Sequence, residues 1–161
     1  MPCAYVGLGS NLDGPAQRVE RALSALDRLP LTRLVAASPL YASRPVGPQD
    51  QPDFINAVAC ISTRLSPLAL LDQLQAMEQA HRRRRLRHWG PRTLDLDLLL
   101  FGECTIDLPR LKVPHPAMVE RAFVLVPLAD IAPDLMLDGQ PLATWLTSTD
   151  RSGLRPLTPQ R

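Results

Sequence analysis

Strand-like and helix-like patterns follow one another along these 161 residues in an order that predicts an α+β fold, a βαββαβ sandwich. Three observations carry the prediction. Two stretches, "NLDGPAQRVERALSALDRLP" and "SPLALLDQLQAMEQAHRRRR", repeat apolar side chains at helical spacing. Each has an apolar, strand-like run before and after it. No internal repeat, low-complexity segment or composition shift divides the chain, so one domain over residues 1–161 is expected.

"CAYVGLGS" reads as a buried first strand ending in a Gly-rich turn. The first helix follows, with Val19, Ala22, Leu23 and Leu26 on one stripe, Pro15 in its first turn and Pro30 marking the stop. "LTRLVAASPLYAS" is a second strand, broken or bulged by Pro39. "RPVGPQDQPD" (44–53) has three prolines and no periodicity, and polar loops of this length are often functional. "FINAVACISTRL" is a third strand. The second helix opens with Ser66 as N-cap and Pro67 behind it, and carries Leu70, Leu71, Leu74 and Met77 on its apolar face. "LDLDLLLFG" is the fourth strand, and "ECTIDL" turns back as a hairpin arm. The order is ferredoxin-like: an antiparallel sheet with helices packed on its faces, plus C-terminal additions. Those additions include a small helix after Gly139 and a tail loosely ordered from about 150 to 161.

Composition narrows the function classes. Hydrophobic residues make up 45% and charged residues 21%, and the net charge is only +2, so bulk electrostatics single out neither a nucleic-acid nor an acidic partner. Lys112 is the only lysine, a bias toward arginine that empties any single Arg of meaning. Cys3, Cys60 and Cys104 are odd in number and form no CxxC pair, which suits a reducing cytoplasm. No apolar run approaches the roughly 20 residues that span a bilayer, and the N-terminus lacks a secretory leader's pattern. A cytoplasmic protein without membrane partners is the expectation, and a monomer.

The fourth strand raises the sharper question. Asp95 and Asp97 stand at alternate positions in a run of leucines, so they share one face roughly 6.5–7 Å apart. Either they look into solvent or they hold something positive. Leu94, Leu96, Leu98 and Leu100 fall on one side, with Leu99 and Phe101 beside the aspartates on the other. A strand apolar on both faces reads as central and covered, where unpaired carboxylates are costly. Hard oxygen ligands on a rigid backbone suit Mg²⁺, which takes one or two carboxylates and fills its shell with water and phosphate.

Counter-charges for an anion lie just upstream. Arg82, Arg83, Arg84, Arg85, Arg87 and Arg92 cluster before the Asp strand, more densely than composition explains. A solvated helix end accounts for some of them, and the planar forks of the others suit phosphate. Together with the Asp pair they read as a polyphosphate site. Neither GxxxxGK[ST] nor the dinucleotide fingerprint is present, so a P-loop kinase and a Rossmann enzyme are poor candidates. Arg110, His115 and Arg121 sit in a Pro-flanked segment. His115 reads either as a structural residue or as a phosphate hydrogen-bond donor, with no nucleophile beside it to serve as a base. Aromatics total only 4%, yet Phe54, Trp89 and Phe123 each flank one of these loops, as core or as stacking walls for a flat heterocycle.

The motifs "AYVGLGSNL", "GPQDQPDFINAV", "HWGPRTLDLDLLLFG" and "VPHPAMVERAFVL" resemble those of the 6-hydroxymethyl-7,8-dihydropterin pyrophosphokinases of folate biosynthesis, from about Tyr5 to about Pro133. The resemblance implies a ferredoxin-like fold and transfer of a pyrophosphoryl group from ATP to the pterin hydroxymethyl oxygen, releasing AMP. It implies that Asp95 and Asp97 hold two Mg²⁺ ions, with Arg83 and Arg92 completing the catalytic set. Arg83, Arg92, Arg110, His115 and Arg121 would contact ATP phosphates or ribose. Leu71, Gln75, Glu78, Leu98 and Leu111 would line the adenine and ribose pocket, with Lys112 beside them and Trp89 on a loop closing over ATP. Phe54 and Phe123 would sandwich the pterin, Asn56 would hydrogen-bond its edge, and Ser43, Pro45 and Val46 would complete the wall. The family usually writes Gly-Arg-x-Arg where this chain has Arg82 to Arg85, one residue short, so Arg82 and Arg85 compete with Arg83 for its contact. His88 stands where Arg is common, and Lys112 where a small hydroxyl residue occurs.

Two other readings stand beside this one. Ferredoxin-like folds with basic patches also bind RNA, but that needs exposed aromatics on the sheet and leaves the Asp pair without a role. A catalytically retired relative would bind pterin or nucleotide as a sensor, which the altered arginine loop allows and the Asp pair opposes.

Overall fold

In the computed structural model, residues 3–11, 14–44, 52–82 and 94–157 are described. Strand β1 (Cys3–Ser10) sends Ala4, Val6 and Leu8 into one core and turns Tyr5, Gly7 and Gly9 to the other sheet face. The strand runs through both glycines to Ser10, so the Gly-rich turn expected there is strand instead. Helix α1 (Pro15–Leu26) has Pro15 in its first turn, where a missing N–H costs nothing, and buries Val19, Ala22 and Leu26. Strands β2 (Thr32–Ala37) and β3 (Tyr41–Ser43) are the two halves of the run interrupted at Pro39. Both pair antiparallel with β4 (Phe54–Thr63). Helix α2 (Pro67–Arg82) is capped by Ser66, whose Oγ accepts the Ala69 N–H at 3.2 Å. Then comes β5 (Asp95–Phe101).

Among the described residues, the sheet order is β5-β1-β4, with β2 and β3 sharing the far side of β4. That is the antiparallel arrangement expected of two split βαβ units. α1 and α2 cover one face, where Leu26, Leu70 and Leu74 are fully buried, each contributing about 1.5–3 kcal/mol by leaving water. No helix among the described residues is long and apolar enough to cross a membrane.

Two expectations about β5 need correction. It is not central: among the described residues it pairs only with β1 and ends the sheet. Its free edge is satisfied from outside the sheet, because Glu78 Oε2 accepts the Leu96 N–H at 2.8 Å and Leu99 C=O accepts the His115 N–H at 2.9 Å. Covered faces made an edge strand look like a central one. Phe101, moreover, does not share the aspartates' face. Tyr5 pairs with Leu100 but Val6 with Leu98, so a bulge at Leu99 shifts the alternation and sends Phe101 into the core under α1 and α2.

After β5, the short strands β6 (Ile106–Asp107) and β7 (Lys112–Val113) form their own hairpin, so the "ECTIDL" arm pairs forward with β7, not back onto β5. A 3₁₀ turn at Met118–Glu120 leads into α3 (Ala122–Ile131). The hairpin β8 (Met136–Leu137) and β9 (Gln140–Pro141) then gives way to α4 (Leu142–Thr147), the small helix expected after Gly139. These additions build a second core on the opposite sheet face, around Leu99, Leu125 and Leu128. Of the tail expected to be loose from about 150, residues 158–161 lie outside the described residues. β10 (Leu154–Pro156) pairs with β3, whose outer backbone groups would otherwise have no strand partner.

Candidate active site

Sheet register assembles the site. Asn56 on β4, Gly9 on β1 and Asp95 on β5 lie in one row across three strands, and Val58, Gly7 and Asp97 form the next. With strands about 4.8 Å apart, each row spans about 10 Å between its outer Cα atoms. In the middle of both rows stands a glycine, so the sheet has a flat, bare floor in front of the two carboxylates. A Cβ on Gly9 would lie 3.1 Å from Asn56 Nδ2, and one on Gly7 3.5 Å from Leu99 Cδ1. Sequence reading took these glycines for a turn. Their alternate spacing in a strand was the available signal, since such glycines often mark a close approach by a ligand.

Two cavities open over this floor and meet at the carboxylates. The larger, about 580 Å³, lies toward α3 between Gly9, Phe54, Asn56, Arg121 and Phe123. The smaller, about 360 Å³, lies toward α2 between Leu71, Gln75, Leu98, Leu111 and His115. Asp95 and Asp97 line both. This size range is that of small-molecule sites.

The larger cavity has two aromatic walls and one oriented amide. Phe54 begins β4, and Phe123 lies in the first turn of α3 with the Arg121 guanidinium 5.6 Å from its ring centroid. Asn56 is buried, and its Oδ1 accepts a 2.6 Å hydrogen bond from Ser43 Oγ. That bond leaves the Nδ2 donor available to the cavity. Arg121, assigned to ATP by the resemblance, lines the larger cavity and reaches Asp97 Oδ2 at 3.9 Å, so it stands at the junction.

The smaller cavity gathers eight expected nucleotide contacts. Leu71, Gln75 and Glu78 recur at positions i, i+4 and i+7 of α2 and so share one face. Leu98 comes from β5, while Arg110, Leu111, Lys112 and His115 come from the β6–β7 hairpin and the segment after it. Arg110 Nη2 donates to Asp72 Oδ1 at 2.5 Å and to Gln75 Oε1 at 3.1 Å, and Lys112 pairs with Asp107. Exposed pairs of this kind are weak enough for an anion to displace. Burial holds the His115 imidazole below its ordinary pKa; the Asp97 carboxylate opposes this and Arg121 adds to it. The Ala117 N–H donates to His115 Nδ1 at 3.2 Å, which places the neutral ring's proton on Nε2. His115 is thereby set as a hydrogen-bond donor.

The carboxylate pair fits a hard divalent cation. Two oxygen donors on one rigid strand face, open to both cavities, leave the rest of the coordination shell for water and phosphate, the pattern Mg²⁺ favours. Arg83, Trp89 and Arg92 of the expected ATP contacts, and Pro45 and Val46 of the expected pterin wall, lie outside the described residues.

Residues 5–133 match the sequence profile of the family described as 7,8-dihydro-6-hydroxymethylpterin-pyrophosphokinase (HPPK). The chain is 59% identical over 154 residues to the 2-amino-4-hydroxy-6-hydroxymethyldihydropteridine pyrophosphokinase of Pseudomonas aeruginosa, with 95% of each chain covered. It is 53% identical over 146 residues to the same-named protein of Haemophilus influenzae, with 91% of each covered. Among solved structures, Plasmodium falciparum HPPK-DHPS with pteroate shares its fold at a TM-score of 0.73 and 15% identity, over 91% of this chain and 42% of that one.

Proposed function

The chain belongs to the 7,8-dihydro-6-hydroxymethylpterin-pyrophosphokinase family, and from that premise we propose how its two cavities divide the reaction. The reaction moves the pyrophosphoryl group of ATP to the hydroxymethyl oxygen of the dihydropterin and leaves AMP, a step of folate biosynthesis. The pterin lies in the larger cavity, over the glycine floor and between Phe54 and Phe123, with Asn56 Nδ2 donating to the ring edge. ATP lies in the smaller cavity, its adenine and ribose against the α2 face and Leu111, its phosphates toward Arg110, Arg121 and His115. One observation carries this reading: Asp95 and Asp97 are the wall common to both cavities.

In this arrangement the hydroxymethyl oxygen attacks the β-phosphorus. The bond from that phosphorus to the α-phosphate oxygen breaks with its electron pair leaving on AMP, and the hydroxyl proton passes to solvent water. Each substrate is held by a rigid element, α2 and β5 on one side and β4 and α3 on the other, so proximity supplies much of the acceleration. The Arg121 guanidinium, 3.9 Å from Asp97, lies where charge shifts toward the leaving AMP, and His115 Nε2–H donates to a phosphate oxygen. Asp95 and Asp97 hold two Mg²⁺ ions, which when bound neutralise the triphosphate. Arg83, Arg92 and Trp89 are assigned to ATP on motif alone, and Lys112 to the rim because it lines the smaller cavity. In this reading the chain works as a monomer, and ATP together with three free cysteines supports a cytoplasmic setting.

The test is AMP release from ATP with and without 6-hydroxymethyl-7,8-dihydropterin, in Mg²⁺ and then in EDTA. The reading requires AMP that depends on both pterin and Mg²⁺. A folded sample that binds pterin and releases none would overturn it in favour of a sensor.

A further inference from the structure

The family profile ends at residue 133, and the chain beyond it has no role in the division of cavities described above. Its last strand nevertheless returns to the wall of the larger cavity. β10 pairs with β3, setting Leu154 opposite Ser43, Arg155 opposite Ala42 and Pro156 opposite Tyr41. Leu157 N–H then donates to Leu40 C=O at 2.9 Å.

Two side-chain contacts reach outward from this ladder. Arg155 Nη1 crosses β3 to within 3.2 Å of Asp53 Oδ2, next to the first residue of β4. Gly153, at φ +81°, lies beside the stem of Arg44, next to the last residue of β3, and leaves that stem the space a side chain would fill. A Cβ there would lie 3.0 Å from Arg44 Cδ and 3.1 Å from Cγ. Asp53 thus precedes Phe54, and Arg44 follows Ser43, the residue whose hydroxyl holds the Asn56 amide.

We propose that β10 and the turn before it are a positioning device for the heterocycle side of the site. The Gly153–Arg44 and Arg155–Asp53 contacts hold the end of β3 and the start of β4 in register, so that Ser43, Asn56 and Phe54 meet the ring already aligned. Alignment in advance spares the substrate the cost of ordering these groups, and its loss weakens substrate binding before it affects anything else. The contacts are on the surface, with Arg155 and Asp53 side chains 62% and 37% exposed, so they add little to folding. The smaller cavity draws no residue from this wall. The proposal rests on the larger cavity being the pterin site.

Full-length Arg155→Ala and Gly153→Val, with Asn56→Ala as reference, are assayed for pterin KM, ATP KM, kcat and thermal midpoint. Arg155→Ala is expected to raise pterin KM roughly two- to fivefold, the range of an exposed pair. Gly153→Val, which strains a left-handed turn and displaces Arg44, is expected to raise it roughly tenfold. ATP KM should not move in either. Reversing the pair, with Arg155→Glu and Asp53→Arg together, should recover what each reversal alone loses. Unchanged pterin KM in the first two variants, with a raised one in Asn56→Ala, overturns the positioning role and leaves the cavity assignment intact. No effect of Asn56→Ala on pterin removes both. Parallel losses for pterin and ATP with a lowered midpoint would show a structural role only, and overturn the proposal as well.

Discussion

Gly9→Ala should cripple substrate use while leaving the fold alone. The new Cβ would stand 3.1 Å from Asn56 Nδ2, where ordinary contact begins at 3.4 Å, so the amide has to retreat by about 0.3 Å. It cannot do so freely, because Ser43 Oγ holds its oxygen at 2.6 Å and the side chain is 5% exposed. The methyl also rises from the bare floor across which the pterin is proposed to lie. Losing a well-made hydrogen bond to the ring costs about 1–1.5 kcal/mol, and imperfect seating against Phe54 adds to it. A rise of about tenfold or more in pterin KM follows. Stability should fall only slightly: Gly9 needs no left-handed conformation and alanine lowers the entropy of the unfolded chain, which offsets part of the cost of moving the held amide. Gly7→Ala separates the two effects, since its Cβ also rises from the floor but meets Leu99 at an ordinary 3.5 Å and leaves the Asn56 amide in place. Steady-state kinetics with either substrate varied, beside thermal melts, decide the matter. An unchanged pterin KM in a folded Gly9→Ala protein would refute the reasoning, and so would an equal loss for ATP.

Asp97→Asn should lower pyrophosphoryl transfer by about a hundredfold or more, in the range seen when one charge-stabilising group leaves an active site, and weaken Mg²⁺-dependent ATP binding. Its thermal midpoint should barely move, because the carboxylate is 43% exposed and its ion pair with Arg121 is long, and full activity would remove Asp97 from the site. Alkaline pH should destabilise the fold. Burial pushes Cys60 up to about 11, and Tyr5 and Tyr41 to about 12, the last also through its hydrogen bond to the Asp130 carboxylate. The folded chain then keeps protons that the unfolded chain has released, so these three groups make stability fall from about pH 9 toward pH 12. Urea midpoints across pH 8 to 12 should show that slope, shallower in Tyr5→Phe; a flat profile would contradict it.

The alternation of Asp95 and Asp97 within the leucine run, the helix signals at Pro15 and Ser66–Pro67, and the break at Pro39 were all legible before any coordinates. Each is a local feature, set by neighbours a few residues away. The face occupied by Phe101 was not legible, because one extra residue at Leu99 inverts every later position in the strand and nothing in "LLLF" marks it. Nor was the edge position of β5, since apolar residues on both faces report only that the faces are covered. Which groups cover the edge depends on Glu78 and His115, distant in sequence.

The same division holds for the site. The chain's own order of residues determined the fold class, the carboxylate pair and, through its motifs, the candidates for both cavities. Tertiary structure decided that Gly7 and Gly9 are a floor and not a turn, that Arg121 stands at the junction, and that the last described strand pairs beside Ser43 and reaches Asp53. Periodicity reports which side of a strand or helix a residue takes. Only strand register and the return of distant segments set what stands opposite it, and the site is made of those opposites.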